Sequence, residues 1–178
     1  MAERLLRQRL EGRPPAAGGG AHVHSAGILA GGHPVTTETG EVMDDWGIDA
    51  SDHRSRQLTA ELVAGADLVV GMERRHVAEA CVLDPGAWGR SFTLKELVRR
   101  GEGVGPRPPG QSVAAWLASV HEGRARIDLL GASEADDVAD PVVYFRVGYK
   151  QTAAEIDGLV DRVDRLVWPD AFRGGGAP

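Results

Sequence analysis

Among 178 residues there is one cysteine, Cys81. A lone thiol excludes a disulfide framework and any metal site built from several thiolates. Long apolar runs are missing as well: no stretch approaches the roughly 18 uninterrupted apolar residues of a membrane span. The opening MAERLLRQRLEGR has no apolar core and no small-residue cleavage site, so it does not read as a secretory signal. The expected setting is a reducing cytoplasm, without a membrane partner. A basic surplus is also absent. The formal net charge of −6 argues against a nucleic-acid partner. Two lysines leave 18 arginines among the 20 basic residues. With the richness in Ala and Gly, that bias reflects a GC-rich genome more than phosphate recognition.

What is present alternates between helical and strand patterns. Residues 3–11 read as a short amphipathic helix carrying Leu6 and Leu10, and Arg13-Pro-Pro-Ala-Ala-Gly-Gly-Gly breaks it. Residues 22–26 read as a strand. Thr36 or Thr37 caps a helix to about Trp46, with Val42 and Trp46 on one face and Gly47 as its stop. A polar loop, GIDASDHRSRQL, precedes a short helix near 58–64. Residues 67–72 carry the apolar run of a buried parallel strand, and Ser91-Phe-Thr-Leu is a third strand. Helices follow over 73–82, 96–100 and 113–121. The last one bears a stripe of Ile156, Leu159, Val160, Val163, Leu166 and Val167, with Asp161, Arg162, Asp164 and Arg165 opposite. This order predicts an α/β fold with a parallel sheet, one domain over 1–168 and a frayed tail over 169–178.

Single residues carry little chemistry by themselves. Cys81 falls mid-helix, and the residue six positions on is Ala87, where an anion-binding thiolate loop would place an arginine. It reads as a helical filler. His22 and His24 share a strand face, but no motif supplies further ligands, so no metal is expected. Gly18-Gly19-Gly20 precedes a strand instead of following one and is a linker. The acidic run Glu134, Asp136, Asp137, Asp140 reads first as a solvated loop.

The order of segments adds more. MAERLL, VHSAG, GIDASDHRSRQL, DLVVGMERRH and a late Asp-Pro together resemble the low-molecular-weight protein tyrosine phosphatase family, from Met1 to about Trp168. The resemblance implies a three-layer α/β fold with a short twisted parallel sheet, four-stranded in the family. It also implies a cytoplasmic bacterial hydrolase that cleaves phosphotyrosine-type monoesters through a phosphocysteine, without a cofactor. Its substrate would be a phosphotyrosine protein or a small phosphomonoester. Asp140 matches the family's general acid, which protonates the departing phenolate and then activates water. Asp136 and Asp137 would help to keep it protonated by like-charge repulsion. Ser25 and His53 match residues that brace the catalytic loop, and Arg56 a further polar position beside them.

Two departures stand out. No C-x5-R motif occurs in the 178 residues, so the family's nucleophile and phosphate-binding arginine have no counterpart. The family's first, central strand has none either. The expectation is that the natural start lies upstream of Met1 and that the chain as given is inactive. Strand 22–26 would then be a bare edge open to self-association. Secondly, Val142 and Val143 follow Asp-Pro where the family commonly has aromatic walls, with Tyr144 as the nearest replacement. An arsenate reductase of the same fold and a non-catalytic binding domain are the alternatives.

Overall fold

The computed structural model describes residues 1–13, 20–131, 133, 135–140 and 145–169, with the backbone alone over 145–147. The linker glycines Gly18 and Gly19 and all of the tail but Pro169 lie outside the described residues.

Seven α-helices and two strands follow one another along the described chain. Helix α1 (Ala2–Leu10) turns Leu5 and Leu10 into the core, with Leu6 half-buried. Helix α2 (Thr37–Asp45) is capped by Thr36, whose hydroxyl accepts the Thr39 N–H at 3.3 Å, and it stops at Gly47, φ 69°. Val42 and Met43 form its buried face. Trp46 lies instead on the surface, 37% exposed. Helix α3 (Ala60–Ala64), strand β1 (Val69–Gly71), helix α4 (Arg74–Leu83), a 3₁₀ turn (Pro85–Arg90) and strand β2 (Ser91–Thr93) come next. Helix α5 (Leu94–Val104) starts directly from β2, Thr93 capping it through the Glu96 N–H at 3.1 Å. Helix α6 (Val113–His121), a second 3₁₀ turn (Arg126–Leu129) and α7 (Phe145–Val167) complete the order.

β1 and β2 pair in parallel, Val69 opposite Ser91 and Gly71 opposite Thr93. Side chains alternate across a strand, and the two core regions show it. Val70 packs with Phe92 into a large core built on α1, α5, α6 and α7, while Val69 packs with Val63, Ala80 and Ala87 beneath α3 and α4. Helices therefore cover both faces, which makes the three layers. Gly71 ends β1 because α4 turns back so closely. A Cβ there would stand 3.0 Å from His76 Cβ and 3.1 Å from the Glu73 carbonyl oxygen.

The expected strand over 22–26 does not form. Strand structure exists only through ladder pairing, and among the described residues the sheet has two strands, with one isolated parallel bridge between Gly27 and Gln57. The Val23 carbonyl, which a neighbouring strand would have used, accepts the Arg7 Nε–H at 2.7 Å instead. The bare edge expected there is accordingly not a strand edge.

Helix α7 is longer than its stripe suggested, and its polar face is not all solvent. Asp164 is 1% exposed and takes a bidentate pair of bonds from Arg13, at 2.6 and 2.8 Å, which fastens the end of α1 to α7. Breaking such a buried pair from one side typically costs about 3–5 kcal/mol, because the remaining charge is stranded. Against α7, α5 presents Gly101. A Cβ on Gly101 would meet Leu166 Cδ1 at 3.0 Å and Trp116 ring atoms at 3.2 Å. Trp116 cannot yield easily, since it is fully buried and its Nε1–H is held by the Gly105 carbonyl at 2.9 Å. Ala normally favours a helix over Gly by about 1 kcal/mol, but overpacking costs about 1–3 kcal/mol. Gly101→Ala should lower the urea unfolding midpoint. Gly103→Ala, which enters open space on the same helix, should leave it unchanged or raise it.

Candidate functional site

The first turn of α1 gathers the first group of expected residues. Glu3 projects from that turn towards the loop following Val23, where Ser25 Oγ–H donates to Glu3 Oε2. His53 Nδ1 stands 3.8 Å from the same oxygen, and Arg7, one turn along α1, pairs with Oε1 at 2.9 Å. Burial alone would raise the Glu3 carboxyl, but the Ser25 hydrogen bond and the nearby Arg7, His53 and Arg4 outweigh it and hold the group below its ordinary value. Ser25 and His53 are thus brought together around the Glu3 carboxylate, a residue given no role in the sequence analysis. Arg4 extends the cluster by pairing with Asp52. Arg56 is not part of it. Its side chain is exposed, and its carbonyl accepts the Gly27 N–H at 2.8 Å.

A cavity of about 60 Å³ opens between this cluster and α2, lined by Met1, Glu3, Arg4, Ser25, Thr39 and His53 among others. That is well below the ~300 Å³ at which small-molecule pockets begin, and a fixed carboxylate lines it. By itself it is no phosphate pocket.

Asp140 belongs to a second place, beyond the C-terminal end of β1. The segment before it is tied to that end and to the start of α4. Val138 N–H donates to the Met72 carbonyl at 2.8 Å, the Arg74 N–H donates to Asp137 Oδ1 at 2.8 Å, and the Ser133 N–H to Asp137 Oδ2 at 2.8 Å. Asp136, 7% exposed, lies between Arg74 and Arg99, each at 2.8 Å. Burial would raise Asp136, but the hydrogen bonds from Arg74 and Arg99 together bring it below the usual carboxylate range. Asp136 and Asp137 are therefore not solvated surface charges, and they do not serve as a repulsive fence for Asp140; Glu134 lies outside the described residues. Their charges are taken up by two arginines and by backbone N–H groups, the strongest acceptors' usual use. Asp140 itself is exposed and lies within electrostatic reach of His76. His76 accepts the Glu73 N–H on Nδ1 at 3.2 Å, and burial keeps its ring below the ordinary histidine value against the pull of Glu73, Asp137 and Asp140. Pro141, Val142, Val143 and Tyr144 lie outside the described residues.

Cys81 sits in α4, half-buried, and burial pushes its thiol up. That suits the filler reading. No cluster of three or more His, Cys, Asp or Glu suited to a metal occurs among the described residues.

Residues 1–103, more than half of the chain, match the model of the low molecular weight phosphotyrosine protein phosphatase family, and the chain belongs to that family. It is 41% identical over 98 residues to the probable low molecular weight protein-tyrosine-phosphatase EpsP of Ralstonia nicotianae. That alignment covers 54% of this chain and 62% of the relative, so the chain spans less than two thirds of the relative's length. Among solved structures, the YwlE arginine phosphatase from Geobacillus stearothermophilus matches with a TM-score of 0.63 at 25% identity, over 92% of this chain and 80% of that one. The low molecular weight protein tyrosine phosphatase from T. tengcongensis matches with a TM-score of 0.62 at 29% identity, over 91% and 86%. The sheet described here is the small parallel kind expected, although two-stranded among the described residues.

The anchoring of the acidic loop can be tested without turnover. Asp136→Asn should speed amide exchange at Val138, whose N–H depends on that anchoring. Folding lowers the Asp136 pKa, so its stabilisation is full above the unfolded carboxylate value near ~4 and is lost as pH falls through the native one. The variant should accordingly show a shallower loss of stability on acidification than the wild type, measured by urea unfolding at several pH values.

Proposed function

We propose that this domain works on phosphorylated substrates as a cytoplasmic phosphatase, with Asp140 as the general acid and a cysteine loop of the family type as the nucleophile. The family match over residues 1–103 supports the class. The observation that carries the reading is the fastening of the Asp140 segment at the C-terminal end of β1, since ligands of open α/β sheets bind beyond the carboxyl ends of strands. Asp140 would protonate the leaving group as the P–O bond breaks, then take a proton from the water that attacks the phosphocysteine. Ser25 and His53 would brace the nucleophile loop from the Glu3 side. Retention of an acid before Pro141 favours a phosphatase over an arsenate reductase, because arsenate reduction has no poor leaving group to protonate.

The substrate is a phosphomonoester such as phosphotyrosine, the specificity named for the Ralstonia relative. The arginine phosphatase named from Geobacillus makes phosphoarginine the comparison to include. Cys81 is in the wrong context for attack, and residues 1–178 contain no other thiol, so these residues by themselves should be inactive.

Two experiments check this. Residues 1–178 should show no turnover of p-nitrophenyl phosphate above background, and Cys81→Ser should change nothing; turnover that disappears in Cys81→Ser would overturn the reading of Cys81. When a family strand and C-x5-R loop are joined ahead of Met1, turnover should appear on phosphotyrosine peptide. Asp140→Asn should then slow esters with poor leaving groups by about 10²–10⁴-fold, the range of general acid–base catalysis, and activated esters much less. A loss from Asp140→Asn that is the same for poor and for activated leaving groups would place the acid elsewhere. Faster turnover of phosphoarginine peptide would move the substrate but keep the chemistry.

A further inference from the structure

His121 ends α6 with its ring set edge-on to Trp88, centroids 5.4 Å apart and planes at 87°. Past Gly123, whose φ is 74°, the chain folds back and delivers Arg124 beneath both rings. The Arg124 guanidinium is held between two aromatic faces, 3.9 Å from the Trp88 centroid and 4.0 Å from that of Phe92. Its N–H groups donate to Glu96 at 2.7 and 2.9 Å, to the Ser91 carbonyl at 2.8 Å and to the Trp88 carbonyl at 3.0 Å. One contact remains, between Arg124 Nη1 and His121 Nδ1 at 3.1 Å. A guanidinium can only donate, so Nδ1 must accept. The ring is therefore neutral, with its proton on Nε2. This cage joins α6 to the 3₁₀ turn, β2 and α5, and nothing in the phosphatase reading uses it.

We propose that His121 is an acid-sensitive latch on this cage, whose protonation at Nδ1 frees the end of α6 from Arg124 and Trp88. Protonation turns the acceptor into a donor that confronts the Arg124 donor, and adds a second positive charge beside it. The other groups facing the ring increase the effect. From α5, Arg100 donates to the Val120 carbonyl at 2.8 Å and also to the Glu122 carbonyl, so the helix end that would welcome a charged histidine is already occupied by a cation. Glu96, also from α5, is the one nearby carboxylate that favours the charged ring, but both of its oxygens accept from Arg124. From the 3₁₀ turn Pro85–Arg90 comes the Trp88 ring, and Cys81 of α4 lies on the Arg124 side. Burial first, then Arg124 and Arg100, hold the His121 pKa below its ordinary value. The unfolded chain thus binds the proton more readily. The stabilisation is full above the unfolded value near ~6.5 and is lost as pH falls through the native one.

The test is a pH titration of the full chain by NMR from about pH 8 to about pH 4.5, a window spanning the histidine range. It follows the His121 ring protons and the Trp88 indole N–H. Both should move together, with one midpoint below ~6.5. His121→Asn keeps an acceptor near the Nδ1 position but cannot titrate, so the Trp88 signal should stay constant in that window. The urea midpoint of the wild type should also fall more steeply with acid than that of His121→Asn. A Trp88 signal that ignores the His121 titration, or one that shifts equally in His121→Asn, would overturn the latch; so would equal acid slopes in urea. If His121→Asn does not fold, His121→Gln offers the same acceptor on a longer arm and is read in the same way.

Discussion

Six residues in two strands cannot enclose a core, since short sheets need a packed face to be stable. The stripe on α7 supplies that face. Ile156, Leu159, Val160, Val163, Leu166 and Val167 are all buried, and they join the same cluster as Leu5 of α1, Phe92 of β2 and Leu97 of α5. Everything at the site depends on this seam. α1 carries Glu3 and is fastened to α7 through Arg13 and Asp164, while α5 carries Arg99 and packs along α7 with the small Gly101 allowing the close approach. Moving α7 would move both halves of the candidate site.

Arginine is the second organising element. The side chains of Arg13, Arg74, Arg90, Arg107 and Arg124 run inward to carboxylates or to carbonyls at the ends of helices and loops. Arg107 serves the end of α7, its N–H donating to the Leu166 carbonyl and its Nε–H to that of Val167. A planar guanidinium reaches several acceptors in fixed geometry, which an ammonium does not. The abundance of arginine alone does not account for its placement. Here it stands in for the caps and ladders that a small sheet and several short helices leave incomplete.

The helices were legible in the sequence because each carries its own instructions. Thr36, Thr59, Thr93 and Ser112 all act as N-caps, and the α7 stripe has an unbroken helical period. The segment order was legible too, and it led to the right family. Strand 22–26 was misread because a strand is decided by its neighbour, which local sequence does not contain. The acidic run was misread for a similar reason. Asp136 has the look of surface charge, and only the fold brings Arg74 and Arg99, 62 and 37 residues away, to its two oxygens. Asp164 was assigned to the wrong side of α7 because its partner lies 151 residues away. Glu3 stood in the motif from the start, but its part as the meeting point of Ser25 and His53 needed the third dimension.

The double attachment of Asp136 has a kinetic side. One oxygen goes to a side chain of α4 and the other to one of α5, so the segment leading to Asp140 is anchored to two separate helices at once. Loops that carry catalytic groups commonly surrender their freedom only when a ligand arrives, and that ordering weakens binding. Here the segment up to Val138 has already surrendered it during folding. If Asp140 acts as proposed, a substrate would find the stretch up to Val138 already in place, without that part of the ordering cost.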